Sequence, residues 1–335
     1  MYTTNPKINN QITIWLLIMF CIVSIMIVVG GLTRLTDSGL SITKWQLFSG
    51  LLPPLNQNDW ILYFNLYKEI PEFKLQNFDM NLDEFKVIFW WEWAHRFLGR
   101  LIGIGFLIPL IYFSFKIKIS KLINLYVIFF LICFQGFLGW YMVKSGLVDR
   151  IDVSHFRLSA HLIIAFLILS LIFWNYLKIK KNITISGKIN SLIPFSFLVL
   201  IFIQIIIGAF VSGMDAGKIY NSWPLMGNTY FPNDNNFMSL FRLSALSDPS
   251  LVQFLHRNLA YLIFFFYLFI FYRIYKSKLY DLYKSVNFLG FFIILQVILG
   301  IFTIIYGAQI YIASMHQISS IFLVSSGIYF FFIKT

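Results

Sequence analysis

Eight long apolar stretches constrain this chain more strongly than any other feature of its sequence. A helix needs roughly 20 apolar residues to cross the hydrocarbon core of a membrane. Only 12% of the residues are charged and 59% are hydrophobic, whereas soluble domains carry about 25% charged residues. The sequence therefore predicts an all-α membrane protein with eight transmembrane helices. It excludes a secreted disulfide scaffold, a nucleic-acid-binding module and a disordered chain.

The first apolar stretch begins near the N-terminus but is too long for the core of a signal peptide. No small-residue cleavage site follows it, so we expect it to be retained as a membrane span. The eight predicted spans are approximately Ile12–Gly31, Lys86–Phe115, Leu122–Val143, Leu158–Leu177, Leu192–Ser212, Leu251–Tyr275, Val286–Tyr306 and Ile312–Ile333.

The basic residues are distributed unevenly between the two sides of the membrane. With eight spans both termini lie on one side, and the only acidic residue on that side is Asp281. That side accounts for the whole net charge of +12, and the positive-inside rule identifies it as cytoplasmic. Since no Arg- and Ser-rich presequence is present, we expect a multi-pass protein of a bacterial plasma membrane, with both termini cytoplasmic. The membrane topology accounts for the positive net charge, so the charge does not indicate nucleic-acid binding. We therefore predict a lipid bilayer, and no nucleic acid, as partner.

Two long loops, Leu32–Phe85 and Gly213–Ser250, face outward in this topology and are expected to form interfacial helices and lids. A glycine-rich string leads into each loop, GGLTRLTDSGLSITKW in the first and GAFVSGMDAGKIYNSW in the second. We expect glycine with positive φ to end the helix and turn the chain there. Asp37 and Asp215 are interpreted as turn-forming residues, and the strings as the rim of a pocket.

The two halves of the sequence resemble each other at polar and glycine positions that keep a constant spacing. Two successive registers are each sustained over several positions, which chance does not readily produce. The sequence therefore predicts two tandem, pseudo-symmetric four-helix bundles, residues 1–185 and 186–335, with the same membrane orientation. The matched pairs are Gly30 and Gly208, Asp37 and Asp215, Gly39 and Gly217, Trp45 and Trp223, His95 and His256, Arg96 and Arg257, Gln135 and Gln296, Leu138 and Leu299, and Gly139 and Gly300.

Four of the five histidines lie on even-numbered predicted spans, at similar depths near the outer surface: His95, His161, His256 and His316. Ionisable residues inside a span are costly and usually face the bundle interior. A hydrogen bond between helices is the simpler explanation for one such histidine. Four at matched depth, with two in each half, favour paired metal ligation.

Haem iron suits this pattern better than zinc. Zinc needs three or four converging ligands, often thiolates, whereas Cys21 and Cys133 fall inside spans away from the histidine level. Two imidazoles that face each other across an apolar four-helix bundle can hold the iron of one haem. Arg96 and Arg257 follow their histidines directly and are placed to contact the haem propionates. Snorkelling to lipid headgroups explains these arginines equally well.

The fifth histidine, His155, aligns with His316 without a gap, whereas His161 requires a six-residue insertion in the first half. His155 lies in a polar string beside a predicted helix cap, Ser154, and His161 lies deeper in the span. Depth therefore favours His161 as the ligand.

Glu92 breaks the symmetry between the halves. It lies three residues before His95 and shares its helix face, whereas its counterpart in the second half is Gln253. Glu92 is therefore a candidate for chemistry in the first half alone. The alternative is an ion pair with Arg96, with Arg100 or with a lysine of the outer loop.

Taken together, these motifs resemble the haem A synthase family, in the form found in mitochondria and in many bacteria that lack the outer-loop cysteine pair. The resemblance covers essentially the whole chain. It is carried by GGLTRLTDSGLSITKW, EWAHRFLGR, RLSAHL, GAFVSGMDAGKIYNSWPLMG, QFLHRNLAY and the late MHQ.

The resemblance implies an enzyme that oxidises the C8 methyl group of haem O to a formyl group, giving haem A for cytochrome oxidase. By motif, His256 and His316 resemble the axial ligands of a resident haem b. His95 and His161 resemble the pair that holds the substrate haem, and Glu92 resembles the glutamate that the chemistry needs.

The implied reaction proceeds through an alcohol to a hydrated aldehyde, with electrons passing through haem b. The implied partners are the substrate haem O, a haem O synthase (protohaem farnesyltransferase) that delivers it, and an electron donor that the sequence does not identify. A homo-oligomer is also compatible with the sequence.

Two other functions remain open at this level. A di-haem b-type electron-transfer cytochrome that oxidises quinol needs histidines near both membrane faces, whereas the four histidines here lie toward one face. A non-enzymatic haem carrier is favoured by broken helices near the midplane, which the sequence does not clearly predict.

Overall fold

The computed structural model describes residues 2–44, 49–149, 151–180 and 189–334. Eight of its helices are long and apolar enough to cross a membrane, which confirms the predicted all-α fold class and the number of spans. The described residues form no strand, only an isolated bridge between Met226 and Thr229. The helices are α1 (Pro6–Leu35), α2 (Gln57–Tyr67), α3 (Pro71–Leu75), α4 (Leu82–Ser114), α5 (Ile119–Asp149), α6 (His155–Lys180), α7 (Leu192–Gly213), α8 (Pro249–Lys276), α9 (Tyr280–Ile305) and α10 (Ile310–Lys334).

Each predicted span coincides with one observed helix, and most of the helices extend beyond the predicted ends. For example, α1 begins at Pro6 and α9 begins at Tyr280, about one and a half turns before the predicted starts. Hydropathy reports only the apolar part of a helix, whereas backbone hydrogen bonds continue through polar residues at its ends. The spanning helices are therefore longer than the apolar runs that revealed them.

The turns after α1 and α7 differ from the expectation in one respect. The prediction that glycine supplies the positive φ was wrong, because Asp37 (φ 47°) and Asp215 (φ 50°) adopt this conformation instead. Aspartate tolerates it since its short polar side chain can bond locally. The Asp37 carboxylate lies 2.6 Å from Arg34, and that of Asp215 lies 3.0 Å from Lys218. Both aspartates form turns, as interpreted from the sequence.

The chain forms two compact units. The first contains Ile18–Ala165 together with Tyr2, and the second contains Thr3–Leu17 and Phe166–Thr335. The predicted boundary between residues 185 and 186 lies outside the described residues, as does Trp45 of the predicted repeat. The division into two tandem pseudo-symmetric bundles stays a prediction.

In the second unit, helices α7 to α10 form a closed bundle. α7 packs against α8, α8 against α9, α9 against α10, and α10 against α7. This order places α8 and α10 diagonally opposite each other, so side chains that point inward from these two helices meet across the bundle. The geometry is that of a four-helix bundle with a site in its core.

In the first unit, α4 packs against α5. The loop between α1 and α4 packs against both of them, α2 against α4 and α3 against α5. The contact is an apolar cluster that includes Leu40 and Ile42 of the first glycine-rich string. The string is therefore fixed against α4 by burial of apolar side chains. The buried members of the cluster are Leu40, Ile42, Phe64, Tyr67, Ile70, Phe85, Ile88 and Phe89.

Glu72 in α3 is a buried carboxyl group outside the membrane spans. The residue is 3% exposed, and its Oε1 accepts a hydrogen bond of 3.0 Å from the Tyr67 hydroxyl. The Asn77 amide donates in turn to that hydroxyl at 2.8 Å. Burial raises the pKa of Glu72 to about 8, although the hydrogen bond from Tyr67 opposes the shift. The carboxyl group is therefore mostly protonated at neutral pH.

We predict that the α2–α3 segment becomes less stable as the pH rises. The pKa of Glu72 in the folded segment lies above the ordinary value of 4.5. The free energy of unfolding of the segment is therefore highest below pH 4.5, the ordinary pKa. It falls by roughly 1 kcal/mol per pH unit as the pH rises toward the pKa of Glu72 in the folded segment. Glu72→Gln keeps the neutral form at every pH and should remove this dependence. Amide hydrogen exchange of α2 and α3, corrected for intrinsic exchange rates, measures it.

Glu69→Gln is the matched control because the Glu69 side chain is 78% exposed. This variant should keep the pH dependence of the wild type. If amides of α2 and α3 in the wild type were equally protected from hydrogen exchange at pH 4.5 and at pH 8, the two pKa values of Glu72, the prediction would be contradicted.

Candidate functional site

The histidines predicted as ligands lie in two facing pairs. The ring centroids of His95 on α4 and His161 on α6 are 6.3 Å apart, with planes inclined by 55°. Those of His256 on α8 and His316 on α10 are 6.5 Å apart, with planes inclined by 81°. His155, in contrast, begins α6 and lies against the Phe156 ring with centroids 4.2 Å apart. The four histidines that were predicted as ligands from their depth in the spans thus form two pairs, and His155 belongs to neither pair.

Each of these four rings lies against a glycine of the preceding spanning helix. A Cβ atom added to Gly30 would lie 3.1 Å from His95 Nε2, and one added to Gly139 would lie 3.1 Å from His161 Cε1. In the second unit, a Cβ added to Gly208 would lie 3.0 Å from His256 Cε1, and one added to Gly300 would lie 3.2 Å from His316 Cε1. Such distances are too short for a side chain to be accommodated without movement of the ring. Glycine therefore lets each imidazole pack against the neighbouring helix backbone.

The spacing of the rings fits a metal ion held between two imidazoles. Two metal–nitrogen bonds of about 2 Å and the radii of two five-membered rings with bonds of about 1.3 Å give about 6.3 Å between ring centroids. The Nδ1 atoms of His161, His256 and His316 are also buried without a hydrogen-bond partner among the described residues. Buried polar atoms are normally paired, so these nitrogens indicate a site built for a further group.

The donor set suits haem iron rather than a bare metal ion. In the described part of the chain, no three residues among His, Cys, Asp and Glu lie close enough to hold a metal ion together. A haem brings four nitrogens of its own and needs only axial ligands. Two imidazoles between apolar helices therefore fit a porphyrin, with His95 and His161 as ligands in one unit and His256 and His316 in the other.

Glutamine amides reinforce three of the four histidine positions. Gln135 Nε2 donates to the His161 carbonyl at 2.9 Å, and Gln296 Nε2 donates to the His316 carbonyl at 2.9 Å. Gln204 Nε2 donates to the His256 carbonyl at 3.0 Å. Gln135 and Gln296 were predicted only as repeat positions, and Gln204 was not predicted as a site residue. The signal was present, since each of these glutamines precedes the histidine-contacting glycine by four residues, one helical turn.

Glu92 is held by four donated hydrogen bonds. Its Oε2 accepts from the Ser41 hydroxyl and from the Ile42 backbone N–H, both at 2.7 Å. Its Oε1 accepts from Arg96 Nε at 3.0 Å and from Arg96 Nη2 at 2.5 Å. A carboxylate anion, which only accepts hydrogen bonds, satisfies all four donors. The ion pair that we regarded as the structural alternative for Glu92 is therefore present, and Ser41 is a site residue that sequence analysis missed.

The second unit repeats this arrangement without the charge. Gln253 Nε2 donates to the Ala216 carbonyl at 2.8 Å, and Gln253 Oε1 accepts from Arg257 Nη2 at 3.0 Å. Arg257 Nη2 also reaches the Tyr220 carbonyl at 2.9 Å, as Arg96 Nη2 reaches the Ile42 carbonyl at 2.8 Å. In both units an arginine thus ties the helix that carries the first histidine to the glycine-rich string.

An open cavity of about 280 Å³ lies beside the Glu92 network. Its wall combines apolar side chains with the cationic groups of Arg96 and Lys144, so it can accept a partly apolar, negatively charged group. The lining residues are Ile42, Thr43, Arg96, Trp140, Val143, Lys144 and Leu147. The interpretation of the glycine-rich string as part of a pocket rim agrees with Ile42 and Thr43 in this wall.

Comparison with known proteins agrees with the family resemblance. Residues 13–328 match the family model described as cytochrome oxidase assembly protein. The chain is 50% identical over 328 residues to the heme A synthase of Pelagibacter ubique strain HTCC1062, covering 97% of each chain. It is 43% identical over 329 residues to the heme A synthase of Rickettsia bellii strain OSU 85-389, covering 95% of this chain and 96% of the relative.

A more distant match has the same extent. The heme A synthase of Flavobacterium johnsoniae strain UW101 is 40% identical over 336 residues, covering 96% of this chain and 97% of the relative. The residues matched by the family model, 13–328, include both histidine pairs. The chain belongs to the cytochrome oxidase assembly protein family whose members include these haem A synthases.

Proposed function

We propose that this protein is a haem A synthase, an oxidoreductase that converts the C8 methyl group of haem O into the formyl group of haem A. The observation that carries the proposal is the presence of two facing histidine pairs, of which only the first has a carboxylate beside it. Relatives that match along nearly the whole chain carry the same name. The function of a haem carrier or of a quinol-oxidising cytochrome does not explain why a carboxylate, Glu92, lies beside only one of the two pairs.

We assign substrate haem O to His95 and His161 in the N-terminal half (residues 1–185). Haem b is assigned to His256 and His316 in the C-terminal half (residues 186–335). This assignment is supported by the location of Glu92, which lies one turn from His95, whereas Gln253 occupies the matching position near His256. When bound, haem b supplies one-electron transfer chemistry.

The propionates are assigned to the arginines that follow the first histidine of each pair. Arg96 lines the cavity together with Lys144, so two cationic groups are available to one carboxylate. The Nε atom of Arg257 is buried without an acceptor among the described residues. A buried donor of this kind gains a partner when a carboxylate approaches.

Conversion of a methyl group to a formyl group requires two successive oxidations, through an alcohol to a hydrated aldehyde that loses water. Removal of electrons from the methyl carbon leaves positive charge there, which a nearby carboxylate stabilises. The four donors around Glu92 hold its negative charge in a fixed place. They support an electrostatic role for Glu92 over that of a proton donor, since a proton must displace one of them.

The remaining assignments concern the cellular setting. Eight spans with one strongly basic side support a bacterial plasma membrane and cytoplasmic termini. The substrate histidines then lie toward the outer surface. A haem O synthase that delivers the substrate, an electron donor and a homo-oligomeric state are proposed on the family resemblance.

Pigment analysis of the purified protein tests the function. We expect a mixture of haems B, O and A, because the enzyme holds its cofactor, its substrate and some product. His256→Ala should lose haem B, whereas His155→Ala should keep the wild-type pigments because His155 belongs to neither pair. Haem B alone in the wild type would instead support an electron-transfer cytochrome.

Glu92→Gln tests the role of the charge. Gln253 shows that an amide at this position still accepts a hydrogen bond from the following arginine. The substitution should therefore remove the charge and keep the bond to Arg96, although the amide loses the acceptor for the Ile42 N–H. We expect unchanged haem B, accumulation of unconverted or half-oxidised haem, and about 10²-fold less haem A.

Ser41→Ala keeps the Glu92 carboxylate and removes one of its four donors. Its haem A content should lie between those of the wild type and Glu92→Gln. Wild-type haem A content in Glu92→Gln would remove Glu92 from the mechanism.

The glycine contacts provide a prediction about haem binding alone. Gly139→Ala places a methyl group against the His161 ring, and overpacking of about 1–3 kcal/mol should lower haem occupancy of the N-terminal pair roughly tenfold. Gly136→Ala, one turn earlier on α5, is the matched control because a Cβ there meets nothing within 4 Å. Total haem per protein should fall toward half in the first variant and stay unchanged in the second. Equal haem contents would show that the close contact does not matter.

A further inference from the structure

One of the four histidines lacks the glutamine that reinforces the others. In α5, α7 and α9 a glutamine lies one turn before the glycine that contacts the histidine, and its amide donates to the carbonyl of that histidine. The matching position in α1, four residues before Gly30, is Met26. A thioether has no N–H to donate. His95 is therefore the histidine whose turn is not tied by this amide to the preceding span.

Met26 makes an apolar contact instead. Its terminal methyl carbon lies 3.6 Å from the position of a Cβ added to Gly99 on α4. A methyl group beside a glycine makes no directional bond. The side-chain hydrogen bond from α1 to α4 lies one turn earlier, from the Thr33 hydroxyl to the Trp91 carbonyl at 3.4 Å. The histidine turn that lacks the amide bond is therefore on α4, the helix that also carries Glu92.

The orientation of the ring provides a second, independent difference. His161, His256 and His316 each present Cε1 to their glycine, with Nδ1 at 3.6–3.7 Å and Nε2 at 3.8–4.0 Å from the added Cβ. His95 presents Nε2 at 3.1 Å and Cδ2 at 3.4 Å. Three rings thus share one orientation, and His95 departs from it.

We propose that His95 is the exchangeable ligand of the substrate haem and that His161 is the permanent one, with Gln135 as a positioning residue. This inference rests on the proposed function, in which these two histidines hold haem O. Movement of the His161 turn strains or breaks the bond from Gln135 to the His161 carbonyl, whereas Met26 makes no such bond to the His95 carbonyl. Interhelical hydrogen bonds of this kind change a membrane-protein equilibrium by about three- to tenfold.

The pattern matches the different tasks of the two sites. The resident haem b needs two fixed ligands, and Gln204 and Gln296 secure both of them. A substrate haem must enter, react and leave, which requires a ligand that releases it. An exchangeable His95 also places the freed coordination position on the side of α4, the helix that carries Glu92.

Carbon monoxide binding to the purified, dithionite-reduced protein tests the proposal by its optical spectrum, without measuring turnover. An external ligand binds only to the fraction of iron from which a histidine has detached, so its apparent affinity reports that fraction. In the wild type, at most half of the haem should bind carbon monoxide. Met26→Gln supplies the missing amide and should lower this affinity about three- to tenfold at unchanged haem content.

Two matched variants identify the ligand that detaches. Gln135→Met frees the turn of His161, and since His95 already detaches, the affinity should rise by no more than about twofold. Gln204→Met reproduces the Met26 arrangement beside His256, and more than half of the haem should then bind carbon monoxide. An unchanged affinity in Met26→Gln, together with a three- to tenfold rise in Gln135→Met, would overturn the proposal and identify His161 as the exchangeable ligand.

A double variant separates this inference from the proposed function. If His95→Ala combined with His161→Ala keeps the full haem content, no haem is held by this pair, and the substrate-site assignment fails together with the inference. If the double variant loses the carbon monoxide-reactive haem while Met26→Gln binds carbon monoxide as the wild type does, only the inference fails.

Discussion

The close approach of a glycine backbone to each imidazole is the contact on which the two facing histidine pairs depend. A spanning helix normally keeps its neighbour at the distance that side chains impose, and small residues are what allow closer packing in a membrane. Here the glycines of α1, α5, α7 and α9 bring the preceding span against the ring itself. The ring then has an apolar backbone surface on one edge and an opposing imidazole in front of it. Facing rings at this spacing are therefore a property of the helix packing rather than of the histidines alone.

The two glycine-rich strings are held to α4 and α8 by a polar network. An arginine one turn after Glu92 or Gln253 bonds a carbonyl of the string, so in each unit the string is tied to the helix that carries the first histidine of the pair. In the second unit neutral groups make these bonds, and in the first unit a charged carboxylate takes part. Burial of an ion pair rarely adds stability over neutral groups of similar size. The charge in the first unit therefore agrees with the role proposed for Glu92 in the reaction.

Much of this arrangement could be predicted from the sequence because membrane spans and paired histidines leave strong signals. Hydropathy located all eight helices, and depth in the span separated His161 from His155. The conformation of Asp37 and Asp215 could not be predicted, since glycines nearby offered an equally good explanation for the turn. Ser41 was missed because a serine in a loop has no periodic pattern, and its partner Glu92 lies about 50 residues away. The family match agrees with the resemblance read from the motifs, whereas the roles of individual residues rest on geometry.

Every group that holds a given pair of rings comes from one contiguous set of four spanning helices. The first pair draws its glycines, its glutamine and its arginine from α1, α4, α5 and α6, and the second draws its own from α7 to α10. If each pair holds a haem as proposed, a polypeptide of half this length would already contain the histidines, glycines and glutamine that one haem site uses. Under the exchange proposed for His95, two otherwise similar ring pairs would differ in how firmly they hold a haem because one position carries Met26 where the others carry glutamine.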